Sequence, residues 1–252
     1  MSLEILTMWY NEAFLAPFFL KHYSYADKIT LLYDSDTTDN TLEIVKTCHN
    51  VHVIPFQFPD MMDSGQKRDL LNAQYKQTQC DWVLCVDADE FVFYKTNENF
   101  CYDVNMFLAA HPKYDLFYVR LYQVYRHAYD TDLDPDMYPV PQRRHGDPNV
   151  TEGENAWYNK PILARKGLDM HWTVGCHKIE FSTSLTVSPV GLLGAHWAMA
   201  DPAFAVERRV KNRKARQSKN NLAKEWGNHN HHITVKSIMG EFIQHINDPQ
   251  LF

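Results

Sequence analysis

Asp81-Trp82-Val83-Leu84-Cys85-Val86-Asp87-Ala88-Asp89-Glu90-Phe91 is the stretch on which the reading of this chain turns. Trp82 to Val86 is an apolar run of strand length, and it ends directly in the carboxylates Asp87, Asp89 and Glu90. Two carboxylates one residue apart at a strand end can both approach one divalent cation. Mg²⁺ takes oxygen ligands and shares them with substrate phosphates, and Mn²⁺ accepts a similar set with some nitrogen. The triplet alone also fits a solvated turn, so its surroundings decide.

Upstream, apolar runs at Leu3 to Met8, Ile29 to Tyr33 and Val51 to Phe56 read as buried strands. Between them, Ala13 to Tyr23 (with Asn11 as cap), Thr41 to Cys48 and Gly65 to Gln79 have helical spacing, the last with Leu70, Leu71 and Tyr75 toward the core. Strands alternating with helices imply parallel pairing and right-handed crossovers, hence an α/β sheet. Ligands of such sheets bind beyond the carboxyl ends of the strands. Three polar clusters fall there: Asn11-Glu12, Asp34 to Asp39, and Asp87 to Glu90.

The composition closes off several classes. Of 252 residues 45% are hydrophobic, enough for a packed core, so disorder is excluded. Lys and Arg number 25 against 31 Asp and Glu, and a net charge of −6 argues against a nucleic-acid binder. The five cysteines form no CxxC pair, which points to a reducing compartment. No apolar run has the roughly 20 residues that span a bilayer, and no signal peptide is evident at the start. The expectation is a soluble, cytoplasmic protein.

The second half is more irregular. Asp130 to Pro148 reads as a long loop, Tyr158 to Val190 as short β segments, and Asp201 to Trp226 as a strongly basic helix. That helix carries Arg208, Arg209, Lys211, Arg213, Lys214, Arg216 and Lys219; a solvated face is the favoured reading. Contact with a diphosphate, or peripheral adhesion of its 207–219 segment to an anionic membrane surface, stand as alternatives. Trp157, Tyr158 and Trp172 suit either sugar stacking or the core. His229, His231 and His232 read as solvent-facing, and His171 as an acceptor-cleft or partly buried residue.

In combination these segments resemble inverting glycosyltransferases of family 2 and the related family 92 group. Met8-Trp9-Tyr10-Asn11-Glu12-Ala13 is similar to their first strand and "NE" turn, and Tyr33 to Thr41 to their "DDGSTDNT" element, with Asp36 where glycine is usual. Asp81 to Phe91 resembles their "DWVLxxDADEF" signature, and Gly194-Ala195-His196-Trp197 their later "HY" element. The resemblance implies a GT-A fold: a mixed, mostly parallel sheet flanked by helices, with an irregular acceptor-side C-terminal half. It implies one domain over 1–252, with 1–95 holding the nucleotide sugar, 96–226 completing the acceptor and metal side, and 227–252 as a tail.

The activity so implied is metal-dependent transfer, with inversion, from a nucleotide-diphosphate sugar (a UDP-sugar favoured) to a glycan or lipid-linked acceptor in cell-surface glycan synthesis. Met8, Tyr10, Asn11, Glu12, Asp34, Asp87 and Ala88 would line the donor site. Lys67 and Arg68 suit either phosphate contact or a solvated helix face. Asp87, Asp89 and His196 would hold Mn²⁺ or Mg²⁺. For the base that takes the acceptor's proton, Asp169, His177 and Glu180 all remain candidates. A nucleotidyltransferase is disfavoured because Asn11-Glu12-Ala13 stands where a Gly-rich phosphate loop would be. A catalytically silent carbohydrate- or nucleotide-binding protein of the same fold is the other alternative.

Overall fold

The computed structural model describes residues 1–97, 99–147, 158–182, 184–226 and 232–252. The first half follows the expected alternation: β1 (Leu3–Trp9), α1 (Ala16–His22), β2 (Lys28–Asp34), α2 (Thr41–Val45), β3 (Val51–Phe56), α3 (Ser64–Tyr75) and β4 (Trp82–Cys85). Then come β5 (Glu90–Thr96), β6 (Asn99–Cys101), α4 (Val104–Ala110), β7 (Leu116–Tyr125), β8 (His145–Gly146) and β9 (Asn159–Arg165). β10 (Met170–Trp172), β11 (Ile179–Phe181), β12 (Leu192–Met199), α5 (Pro202–Val206), α6 (Lys219–Ala223) and α7 (Val235–His245) complete the order.

Among the described residues, one sheet runs β3-β2-β1-β4-β9-β7-β12-β5-β6, with β8 paired to β7. The first four strands are mutually parallel. β1, β2 and β4 are buried almost throughout, which is why they read as continuous apolar runs instead of alternating ones. The chain moves outward from β1 to β2 and β3 and returns to β4 on the other side of β1. The carboxyl ends of β1 and β4 are therefore the switch point where an α/β sheet opens a crevice. Beyond β4 the pairing is antiparallel except for β7 with β12. The mixed α/β architecture with flanking helices is thus present, its parallel block concentrated in the first half.

Several local expectations need correction. Asn11 does not cap α1: it adopts a left-handed φ of 51°, and its Oδ1 accepts from the backbone N–H of Thr38 at 2.7 Å. The helix starts later, with Leu15 and Ala16 donating to the Glu12 carbonyl. α2 and α3 end at Val45 and Tyr75, short of Cys48 and Gln79. The basic stretch is not one helix with a solvated face. It breaks into α5, a wide-pitched segment Glu207–Arg213, a tight turn Lys214–Arg216, and α6.

The C-terminal segment is no loose tail. α7 carries Ile238 and Phe242 into a second small core with Tyr125, Met199 and Ala205, and Phe252 packs on Phe93 with ring centroids 5.0 Å apart. Trp172 is a core residue, its Nε1 donating to the Pro161 carbonyl at 2.7 Å, while Tyr158 is half-buried beside His196. Trp157, His229 and His231 lie outside the described residues. No helix among the described residues is long and apolar enough to cross a membrane.

His22 couples this packing to pH. It is fully buried on α1, with Nε2 2.8 Å from the Val92 carbonyl oxygen, and burial lowers its pKa from 6.5 to about 4. The unfolded chain takes up this proton more readily, so the associated stability is complete above pH 6.5 and is lost as pH falls toward 4. The loss amounts to about 3 kcal/mol. Denaturant midpoints should fall from pH 7 to pH 4.5, and less steeply in His22→Gln; identical slopes in the two proteins would refute the assignment.

Candidate active site

At the carboxyl ends of β1, β2 and β4 lies a cavity of about 270 Å³. Its walls include Met8, Tyr10, Asp34, Lys67, Asp87, His177 and Arg213. Asn11 holds the loop after β2 in place, and Asp39 does the same from the other side by accepting the Ala13 N–H at 3.0 Å. Tyr10 and Asp34 face one end of the cavity, where Arg216 lies over the Tyr10 ring at 3.7 Å. Arg216 also donates to Asp34 Oδ2 at 2.9 Å and to Asp36 Oδ2 at 3.2 Å.

Lys67, on α3, reaches back to Asp87 Oδ1 at 2.6 Å. Burial alone would raise the Asp87 pKa, but Lys67 and Lys160 outweigh it and hold the carboxyl well below its ordinary range. Burial likewise disfavours charge on Lys67, and Asp87 reverses the sign, leaving the ammonium pKa raised. Arg68 pairs with Asp69 at 2.7 Å and lines a smaller neighbouring cavity, with Lys67 and Asp87, instead of this one. Ala88, expected at the donor, is instead buried core and does not line the cavity.

Deeper in, Arg208 is buried between two carboxylates. Its Nε and Nη2 donate to Glu12 Oε1 at 3.0 and 2.7 Å, and its Nη1 donates to Asp89 Oδ2. Burial is the largest influence on both acids. Glu12 remains shifted upward, whereas Arg208, His196 and Arg213 together drive Asp89 well below its ordinary value. Burial lowers the Arg213 pKa, and the adjacent Arg208 charge adds to that. Glu90 completes the polar layer: Lys160 Nζ donates to its Oε1 at 2.5 Å, and its Oε2 accepts the Asp87 N–H at 3.0 Å.

The three residues expected to hold a divalent cation do not fit one. Asp87 is occupied by Lys67, and Asp89 Oδ2 by Arg208, with His196 Nε2 at 3.3 Å. His196 Nδ1 lies 2.7 Å from Gln123 Oε1. Asp89 Oδ1 is buried without a hydrogen bond, yet one open oxygen beside a guanidinium is not a coordination sphere. No group of three or more His, Cys, Asp or Glu converges as a metal site among the described residues.

Of the three base candidates only His177 reaches the cavity. Gly175 makes room for it: its φ is +73°, and a Cβ there would lie 2.6 Å from His177 Nε2. Asp169 bonds the Ser182 hydroxyl and Glu180 pairs with His171 at 2.9 Å, both on the β10–β11 hairpin away from the cavity. From sequence, Arg208, Arg213 and Arg216 stand only within a basic helix with diphosphate contact as an alternative, Glu90 only within the Asp87 to Glu90 cluster, and Lys160 not at all. The available signal was arginine spacing: Arg208 and Arg213 are five apart, which a wide-pitched turn places on one side.

No protein-family model matches the chain, and no curated protein matches it. Among solved structures it is similar to S. aureus TarS at 15% identity and a TM-score of 0.45, over 97% of this chain and 43% of that one. It is similar to S. aureus TarS 1-349 in complex with UDP-GlcNAc at 16% and 0.42, over 96% and 72%. Glucosyl-3-phosphoglycerate synthase from Mycobacterium tuberculosis, in complex with Mn²⁺, UDP and glucosyl-3-phosphoglycerate, gives 13% and 0.35, over 66% and 56%. The chain thus spans less than half the length of the first of these.

The Glu12–Arg208–Asp89 triplet makes a measurable claim. Removing one member of a buried charge set costs about 3–5 kcal/mol, so Arg208→Met should lose that much in urea unfolding. Arg208→Met combined with Asp89→Asn should cost less than the two single changes summed; strictly additive costs would show that the contact carries no coupling.

Proposed function

We propose that this chain is a glycosyltransferase that moves a sugar, with inversion, from a nucleotide-diphosphate sugar to a hydroxyl of a glycan or lipid-linked acceptor. A UDP-sugar is the favoured donor and cell-surface glycan synthesis the favoured pathway. The observation that carries this reading is the cavity at the β1/β4 switch point. There a Tyr10/Asp34 end suited to a nucleoside and a Lys67/Arg213 stretch suited to phosphates open into one space. The motifs at Met8 to Ala13, Tyr33 to Thr41 and Asp81 to Phe91 support the same reading.

The chemistry follows from that placement. In an inverting transfer the acceptor oxygen forms its bond to the anomeric carbon as the bond to the diphosphate oxygen breaks. Negative charge grows on the departing diphosphate, and Lys67 and Arg213 are placed to receive it. The acceptor hydroxyl gives up its proton, and His177, on the cavity wall, is the group that accepts it. No step is assigned to a metal, because Asp87, Asp89 and His196 are held by Lys67, Arg208 and Gln123.

The proposed setting is the cytoplasm, against a membrane bearing the acceptor. Membrane contact through residues 207–219 has less charge to draw on than the sequence suggests. Arg208, Arg213 and Arg216 turn inward, and Lys211, paired with Glu207, and Lys219 are the exposed lysines of this stretch.

Calorimetric titration with nucleoside diphosphates and their sugars, with and without Mn²⁺, combined with donor hydrolysis in the absence of acceptor, tests the reading. One nucleotide should bind, and slow hydrolysis should follow. His177→Ala should lower turnover by about 10²–10⁴-fold with nucleotide affinity nearly unchanged. Binding without any turnover would favour the silent binding protein, and no binding by any nucleotide would overturn the reading.

A further inference from the structure

Resting on the donor site proposed above, we infer that this chain holds the donor diphosphate with Arg213 and Lys67 and uses Arg208 in place of a divalent cation, so that transfer is metal-independent. The argument begins with who already owns each carboxylate. Glu12 and Asp89 receive Arg208, Asp34 and Asp36 receive Arg216, Asp87 receives Lys67, and Glu90 receives Lys160. Every one of these acids is thereby paired with a lysine or arginine among the described residues. A divalent ion at Asp87 and Asp89 would have to displace a lysine and a guanidinium.

Arg208 cannot step aside cheaply. Its side chain is 3% exposed, and three of its N–H groups are spent on Glu12 and Asp89. Swinging it out would strand Glu12 as a buried acid without a cation. It already provides what an ion would: a fixed positive charge against the Asp89 carboxylate, in a site screened from water. Unlike an ion, it is covalently part of the chain and is present whatever the metal concentration.

Arg213 is the counterpart without a hydrogen-bonded partner for its guanidinium among the described residues. Its nearest acid is Asp89 Oδ2, 3.8 Å from Nη2 and already shared by Arg208 and His196. It is 34% exposed and lines the cavity, as Lys67 does at 28%. A planar fork with unused donors at the edge of a cavity matches two phosphate oxygens. Lys67, held on Asp87 through one of three N–H groups, keeps donors for a third. The chemical class that fits is a pyrophosphate group, with the nucleoside running toward Tyr10 and Asp34.

Titration calorimetry on the full chain tests this with two probes: inorganic pyrophosphate in EDTA, and UDP in EDTA or in MnCl₂. UDP affinity in EDTA should lie within about threefold of that in MnCl₂, a difference of well under 1.4 kcal/mol. Arg213→Met should weaken both probes in EDTA by about tenfold or more, and Arg213→Lys should recover part of the loss. Should Arg213→Met fail to fold, Lys67→Met and Arg213→Lys carry the same comparison. UDP binding that appears only with Mn²⁺ would overturn the metal-independent site and leave the glycosyltransferase reading standing. Wild-type affinity in Arg213→Met would also overturn it. Absence of binding by UDP and pyrophosphate in every condition would overturn both.

Discussion

The burial of one guanidinium between Glu12 and Asp89 is the constraint around which the site is arranged. A buried charge is tolerated only when paired and hydrogen-bonded, and Arg208 has donors for two carboxylates at once. Satisfying it fixes three separate pieces of chain: the end of β1, the turn after β4, and the wide-pitched segment after α5. The backbone adds to this, since Trp197 donates its N–H to the Asp89 carbonyl at 2.7 Å. The end of β12 therefore lies against the same turn. Arg213, five residues on in the same segment, lines the cavity.

The turn after β4 explains why the acids do not act as a pair. In an extended strand, residues two apart point to one face, and that is the assumption under which Asp87 and Asp89 would share a cation. Here the backbone turns, with Glu90 donating its N–H to the Asp87 carbonyl at 3.1 Å. The four side chains of Asp87 to Glu90 diverge: toward Lys67, into the core, toward Arg208, and toward Lys160. Two charge networks result, one lining the cavity and one buried behind it. Glu90 braces the first of them, because it holds Lys160 by one oxygen and the Asp87 N–H by the other.

The parallel block was legible because burial on both faces leaves an unbroken apolar run, as in Leu3 to Trp9 and Trp82 to Cys85. The placement of Tyr10, Asp34 and Asp87 at one sheet edge followed from that. Helix ends were less legible: Asn11 has the residue type of a cap, yet its side chain is taken by the loop after β2, a tertiary contact no local pattern records. β7, β9 and β12 pair over long separations, so their order could not be read. The basic stretch misled for a related reason. Arginine composition suits a solvated face, and only the positions of Glu12, Asp34 and Asp89 across the fold turn Arg208 and Arg216 inward.

α3 ties the two chemical ends of the site together. Near its start it carries Lys67, paired with Asp87 on the cavity wall. Further along, Asn72 accepts the Trp172 N–H at 2.8 Å and donates to the Trp172 carbonyl at 2.9 Å. Trp172 leads directly into the loop that bears His177, and that loop is closed by Thr173 donating its N–H to the Lys178 carbonyl at 2.9 Å. Within it, Gly175 takes a φ of 73° that glycine adopts freely, whereas the φ of 56° at Cys176 is a strain that persists only where surroundings over-determine it. The surroundings are the Asn72 clamp and the Cys85 thiol, 3.8 Å from that of Cys176. One helix thus bears both on Lys67 and on the loop that carries His177, the two groups to which the proposed reading gives the leaving charge and the proton. A single displacement depends on fixed placement of the groups around the reacting centre, and in the proposed reading the Asn72–Trp172 bonds are what tie the His177 loop to the helix that bears Lys67.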